Sequence, residues 1–282
     1  MGKDSNKNRL IRRLVQLFFF ILVGLIAVNH KLSETGQGFA FISNASLHAI
    51  CPFGGVVSIY QLATTGTFVQ KIHESAFVMM GILAFMSIAF GAVFCGWVCP
   101  LGTVQEWIGK LGKKLAGKRY NRVIPHKVDR YLRYVRYLVL AWVIYITAVT
   151  GKLLFSDIDP FHAMYLFWSG EVGLQALILL GVILIVSLVV ERPWCKYACP
   201  LGAVIGIFNS FRLFGITRKE SSCISCGRCS SACPMNINVM GGKRIKDHQC
   251  ISCLECTSEM SCPVADTVEF TLKGGGRNEV KA

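Results

Sequence analysis

The sequence predicts an α-helical membrane protein whose four transmembrane helices form a two-fold internal repeat, followed by a small cysteine-rich α+β domain. Three observations predict this fold class. Hydrophobic residues make up 53% of the 282 residues and charged residues only 16%, which is too apolar for an ordinary soluble domain. A C-x3-C-P-L-G motif occurs twice. Eight of the 13 cysteines lie between Cys223 and Cys262, whereas a secreted disulfide scaffold would be smaller and would spread its cysteines.

Four apolar stretches are long enough to cross a bilayer, which takes about 20 helical residues. None has an acidic residue in its middle, and four in one chain make buried helices of a soluble core a poor alternative. The first could be a signal peptide, but its apolar run is longer than that of a signal and no A-x-A-like site follows closely. The stretches cover residues 10–28, 75–94, 134–150 and 172–190.

The basic residues predict the orientation of these helices. Counted by loop, 27 Lys and Arg residues fall on the side that holds both termini and three fall on the other side. Cytoplasmic loops are rich in Lys and Arg, so we expect a multi-pass protein of the cell inner membrane with both termini in the cytoplasm. The net charge of +14 is then a topology signal with some attraction to anionic membrane lipid. No groove-reading element accompanies it, so nucleic acid is not an expected partner.

The repeated motif reads aromatic-C-x3-C-P-L-G-x-V, once from Phe94 and again from Trp194. Its proline predicts that the second cysteine lies at a helix end or turn and that a new helix follows. After the first copy, we expect an amphipathic helix over residues 101–115 at the cytoplasmic interface. Residues 201–214 are its expected counterpart.

The four thiols of the repeated motif are candidate redox or metal ligands: Cys95, Cys99, Cys195 and Cys199. One interpretation is a pseudo-symmetric site in which they bind one iron or iron–sulfur centre, and another is a pair of redox-active dithiols. Cysteines that merely pack as small hydrophobic side chains are the structural alternative, which two near-identical copies disfavour. Cys51 is a further, unpaired thiol on the outer side.

Two cysteine runs after the last span follow the bacterial ferredoxin pattern, in which three cysteines ligate one [4Fe-4S] cluster and the fourth ligates its neighbour. The first run reads C-x2-C-x2-C-x3-C-P, and the second has a longer last gap of five residues. A structural zinc site would instead show two C-x2-C pairs, and disulfides conflict with the cytoplasmic side. The predicted ligands are Cys223, Cys226, Cys229 and Cys262 for cluster 1, and Cys250, Cys253, Cys256 and Cys233 for cluster 2.

These features divide the chain into a four-helix membrane domain (1–215), a cytoplasmic 2[4Fe-4S] ferredoxin domain (216–272) and a flexible tail (273–282).

On the outer side, a histidine could accept a proton from a quinol, although ordinary loop histidines are the alternative. Asp157 and Asp159 also lie there, and turn chemistry is favoured for them. The outer histidines are His30, His48, His73 and His162.

With these motifs the chain resembles the NapH family, within the wider NapH/NosR/CcoG group of polyferredoxin-like membrane proteins. The segments 95–100 and 195–200 and the paired ferredoxin runs carry the resemblance, which extends over residues 10–272. It implies membrane electron transfer between the quinone pool and a partner oxidoreductase, as a subunit of a quinol dehydrogenase or reductase complex. A ferredoxin-like, cytochrome or reductase subunit is the implied partner.

Two other function classes stay open. The CcoG branch resembles an assembly factor that reduces or hands over a metal, and there the C-x3-C-P thiols would bind copper(I), which soft ligands favour. A redox sensor without turnover is the other class. The expected cofactors are two [4Fe-4S] clusters, a further metal or iron–sulfur centre at the C-x3-C-P thiols, and a quinone or quinol at a site that the sequence does not identify.

Overall fold

The computed structural model describes residues 3–34, 75–150, 158–166 and 172–272. These residues are mostly helical, with one two-stranded antiparallel sheet. The helices are α1 (Lys3–Glu34), α2 (Ser75–Phe90), α3 (Pro100–Ala116), α4 (His126–Leu132), α5 (Val135–Thr150), α6 (Pro160–Leu166), α7 (Leu174–Ser187), α8 (Pro193–Tyr197), α9 (Pro200–Asn209) and α10 (Arg228–Ser231). The strands are β1 (Phe214–Arg218) and β2 (Val268–Leu272). Shorter elements are a π-helical turn at Phe94–Val98 and 3-10 turns at Gly117–Arg119, Val239–Gly241 and Glu255–Thr257.

Two of the described helices are long and apolar enough to cross a membrane: Asn8–Asn29 within α1, and Lys127–Thr150, which joins α4 and α5. Shorter apolar helices at Val78–Phe90 and Leu174–Ser187 lie inside the second and fourth predicted spans. All four expose large apolar side chains on their outward faces. Exposed apolar surface of this extent is typical of contact with lipid or with another protein.

Each C-x3-C-P-L-G motif redirects the chain at its second cysteine. Cys99 and Cys199 have extended backbone and are the N-cap residues of the next helices. Pro100 and Pro200 occupy the first helical positions, where their fixed φ suits the helix and their missing N–H is not needed. The structure therefore has the turn that the prolines predict, with the second cysteine at a helix start.

The helices that follow the two motifs differ in length. α3 has 17 residues and covers the predicted range 101–115. α9 has 10 residues and ends at Asn209, so the prediction of a helix over residues 201–214 was wrong at its C-terminal end. The chain cannot continue as a helix because Phe214 opens β1, whose backbone pairs with Leu272 of β2.

Besides a small core between α1 and α6 that includes Ala27 and Tyr165, two buried cores organise the described structure. One lies among α3, α5, α7 and α9 and includes Leu101 and Val143. The other lies beside the β1–β2 sheet and includes Met235 and Val239. Cys95, from the first C-x3-C-P motif, packs against this second core. The helical part and the cysteine-rich part are therefore in direct contact, and a C-x3-C-P thiol lies at the junction.

Candidate functional site

Two cavities in the described cysteine-rich part are each lined by four cysteines. The proximal cavity, which lies next to the C-x3-C-P motifs, is lined by Cys233, Cys250, Cys253 and Cys256. The distal cavity is lined by Cys223, Cys226, Cys229 and Cys262. The structure thus brings together the two predicted sets, each with its fourth cysteine from the other run.

The two cysteine runs share one backbone conformation. Ser225 and Ser252, which occupy the same position in the first C-x2-C of each run, both have positive φ. Gly227 and Leu254, which follow the second cysteine of each run, have positive φ as well. Such values are uncommon outside glycine, and they curl these short loops so that successive cysteines face one cavity. The local strain is typical of a site built for a ligand.

The chemistry of both linings suits an iron–sulfur cluster. Neither lining contains a charged side chain within the described ranges. Burial raises the pKa of Cys253 to about 11 and also raises the pKa of Cys233 and Cys256. Burial therefore favours the protonated thiols until a metal binds, because a metal requires the thiolate. Four soft thiolates in an apolar cavity favour iron–sulfur chemistry.

The C-x3-C-P thiols form a third group. Cys199 lies within electrostatic range of Cys95, Cys99 and Cys195, so the structure brings all four predicted thiols together. Cys99 and Cys199 pack against the helical core, whereas Cys95 packs against the core of the cysteine-rich part. Burial raises the pKa of all four, that of Cys99 to about 12. Within the described ranges, no three or more His, Cys, Asp and Glu side chains gather closely enough to hold a single metal ion.

Two of these thiols accept hydrogen bonds from polar groups of the helical part. The main-chain N–H of Gly202 donates to Cys199 Sγ at 3.3 Å, and Gln105 Nε2 donates to Cys195 Sγ at 3.7 Å. Hydrogen bonds to a ligating sulfur are one of the ways in which a protein tunes a bound metal centre. Sequence reasoning did not identify Gln105.

The first C-x3-C-P motif docks against the second cysteine run. Gly96 approaches the main chain of Ile251 so closely that a Cβ atom on Gly96 would lie 2.3 Å from the Ile251 oxygen. Trp97 Nε1 donates to the main-chain oxygen of Ser252 at 3.0 Å. Since both partners lie between two cysteines of the proximal cavity, this motif is in contact with the wall of that cavity.

The second motif and its following helix contact the same run. Gln249 Nε2 donates to the main-chain oxygen of Lys196 at 3.1 Å. Asn209 Nδ2 donates to the main-chain oxygen of Cys250 at 3.0 Å. Residues 249–252 therefore contact both parts of the repeat, and the proximal cavity adjoins the C-x3-C-P thiols.

A buried ionic network lies beside the first motif. Glu106 accepts from Arg12 at 2.5 Å and from Arg192 at 2.6 Å. Arg192 Nη1 also donates to the main-chain oxygen of Cys95 at 2.5 Å. Burial by itself would raise the pKa of Glu106, but Arg192 and Arg12 outweigh it and lower the pKa to about 2. Glu106 is therefore an anion between two buried cations at neutral pH.

A second buried network lies beside the second motif. Lys196 Nζ lies 2.8 Å from Asp129, and the Tyr197 hydroxyl donates to the same carboxylate at 2.5 Å. Arg133 also pairs with Asp129. The Asp129 carboxylate is thus surrounded by two cations and one hydroxyl donor. Two of the three residues between Cys195 and Cys199 thus anchor the second motif to Asp129, Lys196 by an ion pair and Tyr197 by a hydrogen bond.

The outer-side candidates are described only in part. Asp159 accepts the main-chain N–H of Phe161 at 3.1 Å at the start of α6, as the turn interpretation predicts, and His162 lies in the same helix. Cys51, His48, His73, Asp157 and the side chain of His30 lie outside the described residues.

Comparison with known proteins agrees with the cysteine geometry. A family model described as a 4Fe-4S binding domain matches residues 72–119 and again 172–219, and a second model with the same description matches residues 216–237. No solved structure matches the chain.

Among curated proteins, the chain is similar to the putative electron transport protein YccM of Escherichia coli K12, with 30% identity over 95% of this chain and 77% of the relative. It is similar to the methylamine utilization ferredoxin-type protein MauN of Methylobacillus flagellatus, with 28% identity over 80% of this chain and 75% of the relative. It is also similar to the ferredoxin-type protein NapH of Haemophilus influenzae, with 30% identity over 54% of this chain and 51% of the relative. Together with the cysteine runs, these matches confirm the resemblance drawn from the motifs: the chain belongs to the NapH-type polyferredoxin group and is an iron–sulfur electron-transfer protein.

Proposed function

We propose that the chain is a membrane-bound relay in which two [4Fe-4S] clusters pass electrons between the quinone pool and a partner oxidoreductase. The observation that carries the proposal is the pair of four-cysteine cavities, one of which adjoins the C-x3-C-P thiols. When bound, the clusters would supply one-electron carriers. The chain itself would hold them close together, keep water out and tune them through hydrogen bonds and burial.

The ligand assignment follows the two cavities. Cluster 2 would be held in the proximal cavity by Cys233, Cys250, Cys253 and Cys256. Cluster 1 would be held in the distal cavity by Cys223, Cys226, Cys229 and Cys262. The exchange of the fourth cysteine between the runs would fix the two clusters relative to each other.

The three cysteine groups form a series from the helical core to the surface. Cys99 lies in the helical core and Cys95 at the junction with the cysteine-rich part. The proximal cavity follows, and the distal cavity ends the series with the exposed Cys226. Ile224 beside it is 64% exposed. A partner protein would therefore reach the distal end, and the C-x3-C-P thiols would face the quinone end.

Four transmembrane helices in a two-fold repeat complete the proposal. In its support, one family model matches both 72–119 and 172–219, and each match contains a C-x3-C-P motif after an apolar helix. The basic loops favour cytoplasmic termini in the inner membrane. The division into a membrane domain (1–215), a ferredoxin domain (216–272) and a tail (273–282) belongs to the same proposal.

The quinone end of the relay rests on the resemblance to the NapH family. Two of the relatives are named for electron transport and for methylamine utilization. We therefore assign the class of partner, a membrane-associated oxidoreductase, and not one terminal acceptor.

Reduction of the clusters by quinol tests this function. The full chain is purified anaerobically, reconstituted into proteoliposomes and followed by electron paramagnetic resonance (EPR) after addition of a quinol. We expect quinol to produce reduced [4Fe-4S] signals, and Cys253→Ser to alter the proximal signal while Cys226→Ser alters the distal one. If quinol never reduces the clusters while copper(I) binds stoichiometrically to the C-x3-C-P thiols, the relay is wrong and the metal-handling alternative is favoured.

A further inference from the structure

Two buried arginines, Arg136 and Arg192, flank the C-x3-C-P thiols. Arg136 is 2% exposed and Arg192 is 0% exposed. Both lie within electrostatic range of Cys95 and Cys195. One comes from α5 and the other from the residue before α8, so two separate elements bring positive charge to the same thiols.

Arg136 has no carboxylate partner among the described residues. Its Nη2 donates to the Tyr137 hydroxyl at 3.2 Å, and its guanidinium lies 5.1 Å from the centroid of that ring. Its Nε is buried and has no hydrogen-bond partner in the described part of the chain. The neighbouring ionisable group His248 is also basic. A buried charge is costly unless an opposite charge accompanies it, so Arg136 indicates an anion nearby.

Arg192 also has a buried Nε without a hydrogen-bond partner in the described part of the chain, although its guanidinium forms an ion pair. Its two Nη atoms bind Glu106 and the main-chain oxygen of Cys95, but its buried Nε has no partner among the described residues. Glu106 is already shared with Arg12. The backbone of Arg192 is left-handed, with φ +52°, which an L residue with a long side chain rarely adopts. In this strained conformation the guanidinium reaches the main-chain oxygen of Cys95.

The two thiol pairs follow the internal repeat, but the charged residues around them do not. Three residues before Cys195 stands Arg192, whereas the corresponding position before Cys95 is Ala92. On the other side, the counterpart of Glu106 is Gly206, and a Cβ atom there would lie 2.7 Å from Arg136 Nη2. Two pairs of uncharged thiols that only pack in the core would not need buried cations beside them, whereas a bound anion would.

The family model already describes both C-x3-C-P segments as 4Fe-4S binding. We infer beyond this that Cys95, Cys99, Cys195 and Cys199 share a single negatively charged iron–sulfur centre, and that Arg136 and Arg192 are its counter-charges. The bound thiolates would supply the anion that both unpartnered Nε–H groups lack, and all-thiolate ligation favours iron–sulfur chemistry. The inference rests on the proposed relay and extends it, because this centre would be the carrier nearest the quinone end.

Metal analysis and redox titration of the full chain test the inference. The protein is purified anaerobically, and its iron and acid-labile sulfide are measured beside its EPR spectrum. We expect iron in excess of two [4Fe-4S] clusters and a third signal. Cys95→Ser and Cys195→Ser should each remove the same excess iron and the same signal, because the thiols come from one site.

The arginines are tested through the potential of that third signal. Arg136→Gln and Arg192→Gln each remove a nearby cation, which disfavours the added electron and moves the potential to more negative values. We expect at least a tenfold change in the reduction equilibrium, about 59 mV for one electron. Arg136→Lys and Arg192→Lys should recover most of the shift. Arg130→Gln, which removes an exposed arginine from α4, is the matched control and should shift nothing.

Two results would overturn the inference. If Cys95→Ser and Cys195→Ser leave the iron content and every signal unchanged, the third centre does not exist, while the two ferredoxin signals still test the relay by themselves. If the third signal is present but keeps its potential in both Arg→Gln variants, the arginines are not its counter-charges. The ferredoxin signals report folding in each variant, and each arginine is tested separately, so one unstable variant does not block the test.

Discussion

The two C-x3-C-P motifs have nearly the same sequence but contact different partners. In the first copy, Gly96 and Trp97 dock on the main chain of the cysteine-rich part. In the second copy, Lys196 and Tyr197 anchor the motif to Asp129 inside the helical part. Both copies share the two cysteines and the proline, which place the second cysteine at a helix start. Both copies also contact residues 249–252 of the cysteine-rich part, but only the second copy adds an anchor to Asp129 in the helical part. The three residues between the cysteines account for this difference.

The largest expected effect is at the first copy, where Glu106→Gln removes the carboxylate between Arg12 and Arg192. Removing one partner of a buried ion pair costs about 3 to 5 kcal/mol because the remaining charge stays buried. We expect a loss of this size in the free energy of unfolding, measured by denaturation in detergent. Glu220→Gln is the control, since Glu220 is half exposed in its ion pairs and such pairs contribute about 0 to 1 kcal/mol. Equal losses in the two variants would contradict the assignment.

The matched change in the second copy is Asp129→Asn. It leaves Lys196 buried without a carboxylate, although the amide oxygen can still accept from Tyr197 and Arg133. We expect a loss of about 3 kcal/mol in the same assay. Adding Lys196→Met to this variant removes the stranded charge and should recover part of the loss. No recovery in the double variant would show that the pair is not the source of the effect.

Gly96→Ala tests the docking role of the first copy alone. The added methyl group would meet the Ile251 main chain, and overpacking of this kind costs about 1 to 3 kcal/mol. We expect faster hydrogen exchange at residues 249–252 with unchanged exchange in α7. Gly181→Ala is the control, because no atom lies within 4 Å of a Cβ at that position. Unchanged exchange in Gly96→Ala would separate the first copy from the cysteine-rich part.

The pH dependence sharpens the contrast between two carboxylates near Arg192. Burial and Glu106 raise the pKa of Glu191 from 4.5 to about 7, whereas Glu106 stays ionised. Between pH 4.5 and 7 the folded chain therefore binds a proton that the unfolded chain has lost, so stability falls as pH rises and levels off above pH 7. The slope should not exceed about 1.4 kcal/mol per pH unit. Unfolding measured from pH 5 to 8 should lose this component in Glu191→Gln, and an unchanged slope would contradict the burial of Glu191.

Cysteine spacing predicted which thiols line each cavity, because short C-x2-C loops fix three positions locally and the ferredoxin pattern includes the long-range fourth. Proline likewise predicted the starts of α3 and α9. The end of α9 could not be predicted, since it depends on pairing of β1 with β2, more than 50 residues away. The burial of Arg136 and Arg192 beside the thiols could not be predicted from the sequence either. Arg136 and Arg192 look like ordinary topology signals beside apolar segments, and their burial depends on Glu106 and on thiols from the other motif.

The central claim is that electrons reach the ferredoxin part through the C-x3-C-P thiols. The most direct test compares the wild-type chain with Cys95→Ser in proteoliposomes and measures the rate at which quinol or dithionite reduces the [4Fe-4S] signals. The account predicts that dithionite reduces these signals in both proteins and that quinol reduces them only in the wild type. Reduction of the Cys95→Ser clusters by quinol at the wild-type rate would contradict it.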